Sequence, residues 1–371
     1  MPRINGFTAA VTFLFLTWPR PSLAIPLFAH QYAVTCEKCH SVIPHLNEFG
    51  AAFLANGERF PGISAGPAFP LSVKVNLVGS SEYQGEGPDG AGLPKAIVDE
   101  IELFTAGTIG SRADYFVEQY VVDGGEPGLL RDAWINDRAT PWDARIPVQL
   151  QLGQFTLPLP VDPETFRDTY QGYTPYELRV GSNPFTFFDP KFGVRAGVGN
   201  PQRGFSGQLF AGPGYDRQSG LPTTGVDTET YLQDVLGPVA LTIFRYEGTR
   251  PVTGEADDRF TRMGYGVTYG QWSRFSSEAV LIQGTDSNCG APYGACVSSG
   301  GFEQLRYSFN RELFAEARYE GTYDPIDGFA RDGVVLLGYG PRENARVTIE
   351  DVVSHSPQTS HTMNLQFTVA Y

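Results

Sequence analysis

Leu313-Phe314-Ala315-Glu316-Ala317-Arg318-Tyr319-Glu320 alternates with a period of two: Leu313, Ala315, Ala317 and Tyr319 take one face, and Glu316, Arg318 and Glu320 the other. Leu71-Ser72-Val73-Lys74-Val75-Asn76-Leu77 and Ile146-Pro147-Val148-Gln149-Leu150-Gln151-Leu152 repeat the pattern. Charges as frequent as Lys74, Glu316, Arg318 and Glu320 are costly inside a packed sandwich. They suit the wet lumen of a barrel whose apolar face meets lipid. Working outward, sixteen segments read as strands: 71–84, 97–109, 113–122, 129–138, 146–157, 191–199, 204–213, 228–236, 239–247, 260–269, 273–284, 301–309, 312–322, 332–340, 345–354 and 361–371. The weakest, 228–236, is required by parity, because short and long connections alternate between the two sides of a membrane. The short set includes 110–112, 200–203, 237–238 and 341–344. The long set, 158–190, 214–227, 248–259 and 285–300, falls outside the cell. The expected fold is all-β, a transmembrane antiparallel β-barrel of about 16 strands over residues 70–371, preceded by a small helical unit.

Composition agrees. The 371 residues include 43 Gly, 28 Pro, 26 Phe, 18 Tyr and 4 Trp, with only 18% charged. That is a chain of short strands and turns. A net charge of −14 without a basic run gives no electrostatic support for nucleic-acid binding. Outside the first 24 positions no stretch approaches the length of a membrane-spanning helix. Residues 1–24 read as a signal peptide: Arg3, the apolar run Gly6–Trp18, and Ser22-Leu23-Ala24 before the cut. Export then makes both thiol oxidation and covalent haem attachment available to the four cysteines.

Cys36-Glu37-Lys38-Cys39-His40 is a C-x-x-C-H string, the spacing at which two thiols form thioethers with one haem while the adjacent imidazole reaches its iron. A thioredoxin-like dithiol would want a βαβ context, and a zinc knuckle a second ligand pair. One covalent haem c on Cys36 and Cys39, with His40 as axial ligand, is the expected cofactor site. Met1, Met263 and Met363 leave no methionine nearby for the sixth position. His30 or His45 is the candidate there, against five-coordinate iron. Leu46, Phe49 and Phe53 fall on one helical face ending at Gly57, able to cover a haem edge or pack on the barrel. Residues 25–69 are thus a unit too small to hold a core unaided. Cys289 and Cys296 flank a turn-rich stretch and are expected to form a structural disulfide.

The residues Pro26-Leu27-Phe28-Ala29, Tyr32, Cys36, Cys39-His40, Pro44, Leu46-Asn47, Phe49-Gly50, Phe53, Asn56-Gly57 and Pro61-Gly62 resemble the N-terminal signature of the fused outer-membrane monohaem cytochrome–porins, whose best understood members are iron oxidases. The resemblance covers residues 26–62 and implies a cytochrome plug in or under an outer-membrane barrel. It implies a ferrous-iron oxidoreductase that passes electrons from extracellular Fe(II) through the haem to a periplasmic carrier such as a soluble cytochrome or cupredoxin. The terminal alternation Leu365, Phe367, Val369, Tyr371 resembles the last-strand signal of bacterial outer-membrane proteins. A diffusion porin whose haem-bearing insert gates or senses is the alternative, and a secreted cytochrome fused to a β-sandwich is a third reading. Glu86, Asp89, Asp162, Glu164, Asp168, Glu255, Asp257 and Asp258 read as solvated charges of outer loops, able to attract Fe(II) only weakly.

Overall fold

A computed structural model describes residues 26–56, 59, 71–84, 95–140, 146–216, 221–222, 225–252, 256–290, 292–342, 344–356 and 358–371. The expected leader 1–24, the 60–70 connection, Glu86, Asp89 and Glu255 lie outside the described residues.

Sixteen long strands close into one antiparallel barrel. They are β1 (Ser72–Gln84), β2 (Lys95–Ile109), β3 (Ala113–Asp123), β4 (Leu130–Arg138), β5 (Val148–Phe155), β6 (Lys191–Asn200), β7 (Arg203–Gly212) and β8 (Asp227–Leu236), followed by β9 (Val239–Arg250), β10 (Asp258–Tyr269), β11 (Phe275–Asp286), β12 (Cys296–Ser308), β13 (Leu313–Asp324), β14 (Gly328–Arg342), β15 (Ala345–Ser356) and β16 (Gln358–Ala370). Each pairs with its sequence neighbour, and β16 pairs with β1 in the register Ala370↔Lys74 to Ser360↔Gln84, so the sheet has no free edge. No described helix is long and apolar enough to cross a membrane; the crossing elements are strands.

The period of two decides which face meets what. Leu241, Tyr265, Leu281, Leu305, Val335, Leu337, Ile349 and Leu365 project outward as an apolar belt, while Arg262, Glu278, Gln304, Glu316, Arg318, Glu350 and Gln366 are buried on the inner face. Buried charges need partners. Arg262 meets Asp286 at 2.8 Å, Arg250 meets Asp227 at 2.7 Å, and Lys74 meets Glu102 at 2.6 Å. The expected strand bounds hold to within a few residues, with one larger difference at β12. This strand begins at Cys296 rather than 301, although Ser298-Ser299-Gly300-Gly301 has little strand propensity. Neighbours on both sides, β11 from Asp286↔Cys296 onward and β13 from Ser299↔Tyr323, supply the ladder that local sequence does not.

Two expectations are corrected. Residues 158–190 do not extend outside the cell. They fold into the barrel, where Leu157, Leu159, Val161, Tyr173, Tyr176, Phe185 and Phe187 pack with Phe210, Tyr231, Phe244, Tyr246, Phe260 and Phe302 of the wall. Along β7–β12 the inner face is therefore partly aromatic rather than wet, a feature that segments such as Leu241-Thr242-Ile243-Phe244 conceal because both faces are apolar. Gly266 makes room for this connection: a Cβ there would lie 2.3 Å from Pro160. Burying so many rings offsets the cost of ordering a long irregular segment. The backbone N–H groups of Tyr170 and Gln171 donate to Glu350 at 2.7 and 3.0 Å, and Asn183 donates to Asp258 at 2.8 Å and Asp286 at 3.1 Å. Cys289 and Cys296 are joined by a disulfide, and the Cys289 carbonyl accepts the Ser182 N–H at 3.2 Å, so the bridged loop also holds the inner connection.

If the outward belt faces hydrocarbon, Val335→Lys near the middle of β14 should destabilise the barrel by about 2–4 kcal/mol in lipid vesicles. Denaturant unfolding of the two proteins in the same lipid checks this; an unchanged midpoint would contradict the assignment of that face.

Candidate functional site

The N-terminal unit is built from α1 (Pro26–Tyr32), a 3-10 turn over Cys36–Lys38, a small hairpin (His40–Val42 with His45–Leu46) and α2 (Glu48–Ala55). Asn47 holds these pieces together. It caps α2 by accepting the Gly50 N–H at 2.9 Å, and its Nδ2 donates to the Glu37 and Lys38 carbonyls at 3.1 and 3.2 Å. A Cβ on Gly50 would sit 2.1 Å from the Cys39 carbonyl oxygen, so only glycine lets α2 lie against the motif. Phe53 is buried with Phe28 and Tyr32 edge-on, at centroid distances of 5.1 and 5.7 Å. Leu46, expected on the same helical face, lies instead in the hairpin, and α2 ends at Ala55.

This unit lies across the end of the barrel that carries the short connections. Arg59 donates to the carbonyls of Gly110 and Ala113, Gln202 to that of Glu48, and Arg138 to Asn56. The deeper contact is made by His45. Its Nδ1 lies 3.4 Å from Asp168 Oδ2 of the inner connection, and the same fully buried carboxylate meets Arg306 of β12 at 2.5 Å and Arg346 of β15 at 3.3 Å. Burial pushes the Asp168 carboxyl up, but Arg306, His45 and Arg346 outweigh it and hold it well below the usual carboxylate range.

Between the unit and the wall is a cavity of about 230 Å³. Cys36, Cys39 and His40 line one side with Phe28, Val34, Ile43 and Phe53; Phe104, Phe116 and Tyr120 line the other, and Lys74, Arg167 and Arg346 add cations. His40 Nδ1 lies 3.0 Å from the Pro44 carbonyl, which can only accept, so Nδ1 carries the proton and Nε2 the lone pair. Burial, partly offset by this hydrogen bond, lowers the His40 pKa to about 4, and burial raises the Cys39 thiol to about 11. At neutral pH the motif presents a neutral imidazole with a ligand lone pair and an un-ionised Cys39 thiol.

Structural comparison places the barrel among known folds. It resembles outer-membrane porins. The anion-selective porin from Comamonas acidovorans superposes with a TM-score of 0.63 at 10% identity, over 81% of this chain and 98% of that one. OmpF of Salmonella typhi, solved with daunomycin, gives 0.60 at 13% identity over 81% and 97%. The channel DcaP of Acinetobacter baumannii gives 0.55 at 10% identity over 81% and 97%. No family model matches the sequence, and no curated protein matches it. The sixteen-strand barrel places the chain in the outer membrane.

Cys36, Cys39 and His40 are thus brought together on one cavity. His45 is not among the described residues lining it and is turned toward Asp168. His30 is on α1, but its side chain lies outside the described residues. The acidic residues read as outer-loop charges are corrected where they are described. Asp168 and Asp258 are fully buried, Asp162 accepts the N–H groups of Glu164 and Thr165, and Glu164 pairs with Arg131; Asp257 is exposed. The roles of Asp168, Arg306 and Arg346 have no local signature, because they come from three parts of the chain.

Asp168→Asn leaves two buried guanidinium groups without their counter-charge and should destabilise the folded protein by about 3–5 kcal/mol at neutral pH. Because the folded carboxyl is depressed, its stabilisation is present above the ordinary value near 4 and is lost as pH falls below it. Thermal melts of wild type and variant between pH 7 and 3 check this: the gap should be constant from pH 7 to about 5 and should begin to narrow, without closing, below about 4.

Proposed function

We propose that the protein is an outer-membrane electron conduit. Cys36 and Cys39 would hold one haem c through thioethers, and His40 would ligate its iron through Nε2. Extracellular Fe(II) would be the donor, and a periplasmic carrier such as a soluble cytochrome or cupredoxin the acceptor. The single observation that carries this reading is the cavity bordered by Cys36, Cys39 and a His40 whose Nδ1 is committed to the Pro44 carbonyl. The donor set suits the group. Two thiols lie beside an imidazole lone pair, a mainly apolar slot suits a macrocycle, and Arg167 is the lining cation that suits its carboxylates, since Lys74 and Arg346 are already paired with Glu102 and Asp168. When bound, haem supplies a one-electron carrier at a place where the bilayer is otherwise insulating.

The chain's own residues would set the conditions for that carrier. Phe28, Phe53, Phe104 and Phe116 limit water at the cavity, which favours the ferrous state over the more highly charged ferric one. Asp168, through His45, keeps the unit seated against β12 and β15. His45 is occupied by that contact, so a second axial ligand would come from His30 or from outside the protein, or be lacking.

A diffusion porin whose haem-bearing insert gates or senses is the second reading. The comparisons favour it, because the similar structures are porins, one described as anion-selective. Sixteen-stranded barrels of that kind hold an aqueous channel. Here the inner connection fills part of the lumen and the N-terminal unit lies across one end, which argues for restricted flow.

In a host that matures c-type cytochromes, the peptide carrying Cys36 and Cys39 should gain the mass of one haem, and Cys36→Ala/Cys39→Ala should abolish that gain. Mixing the purified ferric protein with Fe(II) in a stopped-flow spectrometer should give the ferrous haem spectrum. A haem that stays ferric removes iron as donor, and steady ion conductance of the intact protein in a planar bilayer moves the assignment to the second reading.

A further inference from the structure

Three carboxylates converge beside the cavity. Glu118 of β3 and Asp132 of β4 are direct partners across the ladder, and Glu164 reaches them from the inner connection; one oxygen of each lies within 4.8 Å of the others. The backbone is shaped for this. The β3–β4 register shifts between Glu118 and Gln119, where Glu118↔Asp132 is followed by Gln119↔Leu130, so Arg131 is an extra residue and both Arg131 and Asp132 are buried. Such a bulge re-aims side chains that strict alternation would separate.

The charges do not balance among themselves. Arg131 pairs with Glu164 and donates its Nη2 to the Phe188 carbonyl at 3.1 Å. Glu118 and Asp132 are only 5% and 6% exposed, and Asp132 Oδ1 has no hydrogen-bond partner among the described residues. Asp162 adds to the same negative field, whereas Glu102 nearby is paired with Lys74. Arg131 faces all three carboxylates and can neutralise only one, so the buried cluster keeps excess negative charge; that is costly, and an oxygen-seeking divalent cation is the ligand that removes the cost. Glu118 and Glu164 also line the cavity that holds Cys36, Cys39 and His40.

We propose that Glu118, Asp132 and Glu164 form a binding site for one divalent cation inside the barrel. Its identification with Fe(II) rests on the electron-conduit reading above; on that reading the substrate is held at the inner wall, next to the cofactor cavity, rather than on exterior loops. Carboxylate oxygens are the donor type that hard and borderline divalent cations accept without thiolate or imidazole.

The test uses the purified full-length protein in detergent and Mn(II) as probe, with free Mn(II) followed by electron paramagnetic resonance. Wild type should bind one Mn(II) per chain. Glu118→Gln/Asp132→Asn should weaken binding about 10- to 100-fold, and Asp257→Asn on the exposed side should not change it. Heat-modifiable migration on gels reports whether the double variant has closed its barrel, and the single variants Glu118→Gln and Asp132→Asn repeat the comparison if it has not. Mn(II) should raise the melting temperature of wild type and not that of the folded double variant. Wild type that takes up no Mn(II), or a folded double variant that binds it as tightly, overturns the proposal. The two readings separate cleanly. Haem-loaded wild type that binds no Mn(II) removes the cation site and leaves the conduit, whereas Mn(II) binding by wild type found to carry no haem removes the conduit and leaves the site.

Discussion

One buried carboxylate organises the molecule. Asp168 belongs to the inner connection, yet its oxygens are shared by Arg306, Arg346 and His45, so one side chain ties that connection to β12, to β15 and to the N-terminal hairpin. A charge stripped of water can persist only where such partners surround it. A small unit with few buried side chains of its own thereby gains a fixed seat, since Leu46 also donates its N–H to the Thr165 carbonyl at 3.3 Å. The wall of the cavity facing Cys36, Cys39 and His40 follows from that seat.

The legible part of this fold is the part governed by a two-residue period. Strands such as Leu313–Asp324 read clearly because one side must tolerate lipid and the other carries Glu316, Arg318 and Glu320. Parity did the rest, recovering Asp227–Leu236 from a weak local signal. The inner connection was illegible by the same logic: between Phe155 and Lys191 there is no period to follow, and length alone argued for the exterior. Its aromatic residues, Phe166, Tyr173, Tyr176, Phe185 and Phe187, were the available sign that it needed a greasy partner.

The site divides in the same way. Cys36, Cys39 and His40 are neighbours in sequence, and their spacing carries chemical meaning without a structure. What commits the imidazole to one tautomer is the Pro44 carbonyl, and what lets the motif lie against α2 is Gly50, both within ten residues or so. Lys74, Phe104, Glu118, Arg167 and Arg346 approach from five separate segments, so only closure of the barrel and folding of the inner connection bring them to the same space. Electrostatic partners of this sort are invisible to pattern because their meaning lies in distance through space.

The closing pair of the barrel has a consequence for biogenesis. β1 finds its second neighbour only when β16 is present, and Arg346 and Gly340, which flank the N-terminal unit, belong to the last fifth of the polypeptide. The N-terminal unit precedes the barrel in the chain and yet acquires its docking surface last. Contacts so distant along the chain make assembly slow and expose intermediates. The wall that faces Cys36 and Cys39 is thus complete only after the last strand has paired with the first.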